Sequence, residues 1–140
     1  MVDSQQLVCC GLELQFWDDV KEGLQLALDV DNNKYTLDYL KQAIEEKRMQ
    51  LWCIHNGNLY AAFVTRITNY PNAKVLECMA LTGRRPQLWI GLLLDSMYQY
   101  AKENGCTLME TGGRKGWERL FRKHGWGNFH IKMSRSIDYA

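Results

Sequence analysis

The most restrictive feature of this sequence is the segment from Lys74 to Trp126, in which strand and helix signals alternate. A β-rich run, Lys74–Leu81, is followed by a charged turn and by a helical pattern over residues 87–104. A second β-rich run, Cys106–Thr111, precedes a short basic helix at Arg114–His124. A strand, crossover helix and strand in one sheet form a right-handed βαβ unit in nearly all known proteins. The segment therefore predicts two parallel strands with a helix packed across them.

Two further β-rich runs, Gln50–His55 and Leu59–Thr68, come before this unit and are joined by Asn56-Gly57. Asn-Gly between such runs is a strong hairpin signal, because both turn positions favour positive φ. A second turn at Tyr70-Pro71-Asn72 leads into Lys74–Leu81, which predicts an antiparallel meander of three strands. Side chains alternate along a strand. One face of the last strand is expected to carry Val75, Glu77, Met79 and Leu81, and the other Leu76, Cys78 and Ala80.

Two amphipathic helices are predicted before the meander, over residues 16–29 and from the N-cap Thr36 onward. Residues 5–14 form either a first strand or an N-terminal arm, and both alternatives stay open. Residues Asn128–Ile137 are predicted to close the chain as a strand. With 140 residues and no linker or repeat, residues 1–140 are expected to form one α/β domain.

Composition limits the setting and the chemistry of the protein. The five cysteines lack a CxxC spacing, and the three histidines show no metal-ligand spacing. Neither a metal site nor a disulfide framework is predicted, and a reducing, cytoplasmic location is expected. No apolar run approaches the roughly 18–20 residues that a membrane span requires, so no membrane association is expected.

Charge is distributed unequally along the chain. Residues 1–60 carry ten acidic and five basic side chains, whereas residues 61–140 carry six acidic and twelve basic ones. Either the basic half meets an anion, such as a cofactor phosphate or a nucleic acid, or the two halves attract each other.

The basic helix carries the clearest family pattern. Leu120, Lys123 and Gly125 match the run Asn-x-x-Ala-x-x-Leu-Tyr-x-Lys-x-Gly-Phe of the GNAT N-acetyltransferases, and Trp126 replaces the closing aromatic residue. Together with the order of elements, residues 36–137 resemble this family. The resemblance implies a mixed, mostly antiparallel sheet with a central parallel pair, flanked by about four helices. It also implies acetyl-CoA as the cofactor.

The resemblance implies that backbone N–H groups of the loop after the first parallel strand hold the cofactor pyrophosphate. The family writes this loop Gln/Arg-x-x-Gly-x-Gly/Ala. Here Gly91 takes the last position, while Trp89 replaces the first glycine and Pro86 replaces the leading residue. An indole at that place is expected to crowd a pyrophosphate. The residues implied in cofactor binding are Met79, Leu81, Arg84, Arg85, Gly91, Arg114 and Lys115.

The implied catalytic positions show a second departure from the family. Glu77 stands where family members place a carboxylate that accepts the amine proton, and its apolar neighbours would desolvate it. An exposed carboxylate or an ion-pair partner is the competing interpretation, and Glu110 is a weaker alternative base. Phe121 occupies the position of the tyrosine that protonates the CoA thiolate, and it has no hydroxyl group. Water would then take that role.

Three functions compete at this stage. The first is an acetyl-CoA-dependent N-acetyltransferase that acts on an unknown amine or protein acceptor. The second is a catalytically degenerate GNAT-fold protein that binds a protein partner or forms a homo-oligomer. Its size and the run from Gly112 to Arg119 resemble GNAT-like proteins of tailed phages and prophages, which implies the host cytoplasm or a virion. Nucleic-acid binding is disfavoured, because Trp117 and Phe121 are expected on the buried face of the basic helix.

Overall fold

The computed structural model describes residues 6–11, 13–30, 34–112, 115–127, 133 and 135–139. Within these residues the chain forms one five-stranded sheet with the strands in chain order. The strands are β1 (Val8–Gly11), β2 (Gln50–His55), β3 (Leu59–Tyr70), β4 (Ala73–Gly83) and β5 (Leu108–Thr111). The helices are α1 (Trp17–Val30), α2 (Leu37–Glu45), α3 (Ile90–Glu103) and α4 (Lys115–Arg122), with 3-10 turns at Leu14–Phe16 and Pro86–Leu88.

Helices cover both faces of the sheet. On one face, α3 and α4 pack on the sheet through buried residues that include Leu93, Met97 and Phe121. On the other face, α1 and α2 pack on it through Leu24, Leu28 and Leu40. The predicted α/β architecture is confirmed, because each helix turns its apolar stripe toward the sheet.

The two predicted turns set the register of the meander. Gly57 has a φ of 103°, as predicted, whereas Asn56 does not have positive φ. His55 pairs with Leu59, so the hairpin loop has three residues and not two. Tyr70 pairs with Ala73, so a two-residue turn joins β3 to β4 and brings Arg66 opposite Glu77. Both pairings are antiparallel, as predicted.

A β-bulge interrupts β4 in the middle of this register. Val64 pairs with Ala80 and Thr65 pairs with Cys78, which leaves Met79 without a partner in β3. One extra residue reverses the alternation of side chains beyond it. The predicted alternation holds through Met79 and is wrong from Ala80 onward. Leu81 joins Cys78 on the face of α3, whereas Ala80 packs on the face of α1.

β4 and β5 pair in parallel, which confirms the predicted βαβ unit, but the pairing is short. It runs from Val75 with Leu108 to Cys78 with Thr111. Cys106 lies outside β5, because its N–H donates to the Ala101 carbonyl at the end of α3. The strand is therefore shorter than predicted. Among the described strands, β5 lies at one edge of the sheet.

The two ends of the chain give different outcomes. Residues 5–14 contribute β1, which pairs antiparallel with β2, so the strand alternative is correct for Val8–Gly11. The predicted closing strand Asn128–Ile137 falls mostly outside the described residues. Met133 and residues 135–137, which are described, are not in a strand. None of the helices within the described ranges has the length and apolarity needed to cross a bilayer.

The loop between β4 and α3 is held by one tight contact. Trp89 is fully buried, and its indole N–H donates to the Arg84 carbonyl at 2.7 Å. A Cβ atom added at Gly83 would lie 2.7 Å from Trp89 Cζ2 and 2.8 Å from the Tyr60 carbonyl oxygen. Gly83 is therefore needed because the indole occupies the space of a side chain.

Substituting Gly83 tests this contact. We expect Gly83→Ala to lower the free energy of unfolding by about 1–3 kcal/mol, the usual result of overpacking a core. Urea denaturation, monitored by tryptophan fluorescence, measures the change in the free energy of unfolding. Gly112→Ala is the matched control, since nothing lies within 4 Å of its added Cβ. Equal stability of the two variants would contradict the packing.

Candidate active site

The site begins where β4 and β5 separate. The last pair joins Cys78 to Thr111, whose hydroxyl donates to the Cys78 carbonyl at 3.4 Å. β4 continues to Gly83, and in the described residues its last five positions, Met79–Gly83, have no partner in β5. Backbone N–H and C=O groups on that edge need other partners. We call this edge of β4, Met79–Gly83 beside the end of β5, the slot, because an extended ligand lying along it would meet these backbone groups.

The first turn of α3 follows the end of β4 after a short loop. Arg85 has a φ of 55°, in the left-handed region, and turns the chain toward the helix. The N–H groups of Leu88 and Trp89 donate within the preceding 3-10 turn, and Leu93 N–H donates to the Trp89 carbonyl. The amides of residues 90–92 therefore precede the first bond within α3 and are oriented for an anion.

Cationic side chains lie near this helix start. Arg84 and Arg85 are both exposed. A Cβ atom at Gly91 would lie 3.5 Å from His124 Cε1, so the residues after α4 reach the first turn of α3. The structure thus brings Gly91 and the two predicted arginines to one segment of the surface.

The side chain of Trp89 is buried in the core. Its ring packs against Trp117, with the centroids 5.9 Å apart, and belongs to the cluster beneath α3 and α4. The expected obstruction of a pyrophosphate by the indole is therefore replaced by a packing role. The exposed side chains of the loop are instead Arg84, Arg85, Gln87 and Leu88.

Glu77 belongs to a polar network on the face of the sheet that carries α1 and α2. Its Oε2 accepts from Arg66 Nη2 at 3.2 Å, and its Oε1 accepts from the Thr68 hydroxyl at 2.6 Å. Arg66 Nη1 also donates to the Tyr35 hydroxyl at 3.2 Å. The ion-pair interpretation of Glu77 is thus realised. Arg66 Nε is buried without a hydrogen-bond partner among the described residues.

The remaining predicted residues lie in α4, in the core and in β5. Phe121 is buried and lies edge-on to Trp126, with the centroids 5.0 Å apart. Glu110 of β5 pairs with Glu77 in the strand register. Lys115 begins α4, and Arg114 lies outside the described residues.

Arg66, Thr68 and Tyr35 were not predicted from the sequence. The turn at Pro71-Asn72 could have predicted that Arg66 lies beside Glu77. A two-residue turn fixes which residues of β3 and β4 face each other, and counting back from it places Arg66 opposite Glu77. Tyr35 lies 31 residues away in sequence from Arg66, and no local pattern indicates that contact.

Sequence comparisons find no relatives: no family model matches, and no curated protein matches. Solved structures do match. A GCN5-related N-acetyltransferase from Ralstonia eutropha is 14% identical, with a TM-score of 0.74 over 94% of this chain and 98% of that one. A predicted acetyltransferase with acetyl-CoA from Clostridium acetobutylicum is 10% identical, with a TM-score of 0.72 over 94% and 96%.

A transcriptional regulator from Bacillus halodurans is also similar, with 14% identity and a TM-score of 0.73 over 94% of this chain and 100% of that one. At these identities the likeness concerns the fold. The chain therefore has the GNAT-like fold that the sequence resemblance implied, with one mixed sheet and four helices within the described residues.

A double-mutant cycle tests the polar network at Glu77. We expect Arg66→Met and Glu77→Gln to show a coupling energy of about 1–3 kcal/mol in urea denaturation, because both side chains are largely shielded, at 27% and 19% exposure. The exposed pair Arg122–Glu118, at 53% and 44%, is the control and should couple by less than about 1 kcal/mol. Similar coupling in both pairs would contradict the network.

Proposed function

We propose that this protein transfers an acetyl group from acetyl-CoA directly to an amine. One observation carries the proposal: β4 runs on past its last pairing with β5, and only a short loop with a 3-10 turn separates it from α3. Such an edge offers unpaired backbone groups to the extended arm of a thioester, and a helix start offers N–H groups to phosphates. The similar Clostridium acetobutylicum structure is described with acetyl-CoA, which supports this choice of cofactor.

The phosphates of the cofactor would meet the start of α3. Amides of residues 90–92 supply directed donors, and a substituent at Gly91 would narrow the approach from the side of His124. Arg84 and Arg85 supply charge, since guanidinium groups pair well with phosphate oxygens. Lys115, the first residue of α4, and Arg114, which precedes it in the sequence, remain proposed contacts.

The thioester arm would lie along the free edge of β4. The bulge at Met79 leaves that residue without a partner in β3, so its backbone geometry differs from that of a regular strand. A β4 N–H near this bulge would polarise the thioester carbonyl. The Leu81 side chain is buried, at 9% exposure, so its proposed contribution to cofactor binding comes from its backbone.

Glu77 is the proposed base. Both of its carboxylate oxygens already accept one hydrogen bond, and each oxygen retains a second lone pair for an amine or a bridging water. Arg66 and Thr68 would hold the carboxylate in one orientation. The buried Arg66 Nε needs an acceptor, and a substrate oxygen or an ordered water would meet that need.

No side-chain acid serves the leaving thiolate at the position of Phe121. Its ring is enclosed in the core, with Trp126 against it. Protonation would then come from water, which is chemically acceptable because a thiolate is a moderately stable leaving group. Loss of a general acid commonly slows a reaction by roughly 10²–10⁴-fold, so a slow enzyme is expected.

A binding protein that has lost catalysis is the second candidate. The observation that favours it is the burial of both departures from the family pattern, Trp89 and Phe121, in one core cluster. Those positions then serve packing. This alternative predicts no acetyl-CoA binding, so affinity for the cofactor separates the two functions.

Calorimetry with acetyl-CoA is the first test. We expect measurable binding, and we expect Arg84→Ala and Arg85→Ala each to weaken it by about 10-fold, which corresponds to about 1.4 kcal/mol for a lost charged contact. Lys41→Ala, an exposed cation on α2, is the control and should leave the affinity unchanged. If the wild-type protein releases or absorbs no heat at millimolar acetyl-CoA, it does not bind the cofactor, and the catalytically inactive binding protein is the favoured function.

The second test is an acetylation assay with a panel of small amines and peptide N-termini. The release of free CoA thiol measures the rate. Glu77→Gln should lower kcat by about 10²–10⁴-fold through loss of the base, while the affinity for acetyl-CoA stays close to that of wild type. Glu45→Gln, on the exposed side of α2, is the control. Unchanged turnover in Glu77→Gln would remove this residue from the mechanism, and Glu110→Gln would then be examined.

A further inference from the structure

A second cluster of reactive side chains lies at the opposite edge of the sheet. Cys10 Sγ is 3.9 Å from Cys53 Sγ and 3.4 Å from His55 Nε2. All three ligand atoms lie within 4.8 Å of one another. Strands β3 and β4 separate β2 from β5, and three strand spacings correspond to about 14 Å. The cluster is therefore distinct from the proposed cofactor slot.

Strand register brings these residues together. Cys10 of β1 pairs directly with Cys53 of β2, and His55 follows Cys53 by two positions. Residues two apart in a strand lie on one face, and directly paired residues share a face as well. Cys9 falls on the other face for the same reason and packs with the cluster beneath α3. The adjacent cysteines thus have separate roles.

The spacing of the three atoms resembles the edges of a tetrahedron around a metal ion. With Zn–S near 2.3 Å and Zn–N near 2.0–2.1 Å, ideal tetrahedral geometry places two sulfurs roughly 3.8 Å apart and a sulfur and nitrogen roughly 3.6 Å apart. The measured separations of 3.9 and 3.4 Å agree with these values. The third edge, at most 4.8 Å long, would shorten through a rotation of the partly exposed His55.

The chemistry of the ligands selects the class of ion. Two thiolates and one imidazole suit a soft or borderline cation and disfavour magnesium or calcium. Burial and the neighbouring Cys10 thiol raise the pKa of Cys53 to about 12. A bound cation would offset the cost of placing two thiolates together, because it supplies the opposing charge.

We propose that Cys10, Cys53 and His55 form a binding site for zinc or a similar thiophilic divalent ion. Cys10 is exposed, so the fourth coordination position opens to water or to an external ligand.

The site would join an edge strand to the sheet. β1 has four residues and, among the described strands, pairs only with β2. A ligand from β1 and two ligands from β2 would cross-link the strands, so metal binding would stabilise the folded state in proportion to occupancy. This consequence does not depend on the proposed acetyl transfer.

Cobalt titration of the full-length, metal-free protein under a non-thiol reductant tests the site. We expect one Co²⁺ per chain, with a thiolate-to-cobalt charge-transfer band that zinc displaces. Cys10→Ser and His55→Gln, both at the surface, should weaken binding by more than about 100-fold, because loss of even an outer partner of a metal ligand costs about 10–100-fold. Cys106→Ser is the matched control and should bind like wild type.

A structural readout accompanies the titration. Hydrogen exchange of the β1 amides should slow on addition of zinc in wild type and in Cys106→Ser, and should not change in Cys10→Ser. The proposal is overturned if reduced wild type gives no charge-transfer band, if Cys10→Ser retains it, or if the thiols form only a Cys10–Cys53 disulfide on oxidation while the reduced protein takes up no metal. Because Cys53 is buried, Cys53→Ala can also change the stability of the fold. Its metal affinity is therefore compared with those of Cys10→Ser and His55→Gln.

Discussion

Backbone hydrogen bonding of β4 is the constraint on which the rest of the structure depends. This strand pairs with β3 along most of its length, from Ala73 to Gly83, but with β5 only from Val75 to Cys78. Each unpaired N–H or C=O on its free edge must find water or a ligand, because burying it alone would cost roughly 1–3 kcal/mol. The slot is therefore a direct result of two strands of unequal length beside a long helix.

The bulge at Met79 decides what lines each side of that slot. Because the bulge reverses the alternation of side chains along β4, Leu81 packs on the face covered by α3 and Ala80 on the face covered by α1. A small residue below α1 and a large one below α3 fit the two layers, since Leu81 packs in the cluster that also encloses Trp89. The same cluster requires Gly83, whose missing side chain leaves room for the indole. Bulge, glycine and tryptophan thus form one packing solution.

This packing explains why the loop between β4 and α3 departs from the family pattern. A glycine at the position of Trp89 would leave a large cavity in the core, since the whole indole is buried. The loop compensates with a 3-10 turn and with Arg85 in a left-handed conformation, which together place the exposed arginines next to α3. Charge and the helix start would then replace part of what a glycine-rich loop provides.

Local signals in the sequence were sufficient for the positions of both turns, and therefore for the meander. The two-residue turn at Pro71-Asn72 also fixes the β3–β4 register up to Cys78, whereas the register of β2 and β3 shifts between Ile54 and His55 beside the three-residue loop. The bulge could not be predicted, because Met79 is an ordinary strand residue and only the pairing with β3 reveals it. The cysteine cluster escaped prediction for a similar reason: β1 had no assigned register, so nothing placed Cys10 opposite Cys53.

The acidic and basic halves of the chain are not joined by the ion pairs seen among the described residues. The ion pairs seen among the described residues join neighbours within one half: Asp18 with Lys21, Glu46 with Arg48, Glu77 with Arg66 and Glu118 with Arg122. These pairs give no support to direct attraction between the halves. The basic half instead exposes Arg84 and Arg85 before α3, and Lys123 where α4 ends close to Gly91. Exposed cations at a helix start give this part of the surface a positive electrostatic potential.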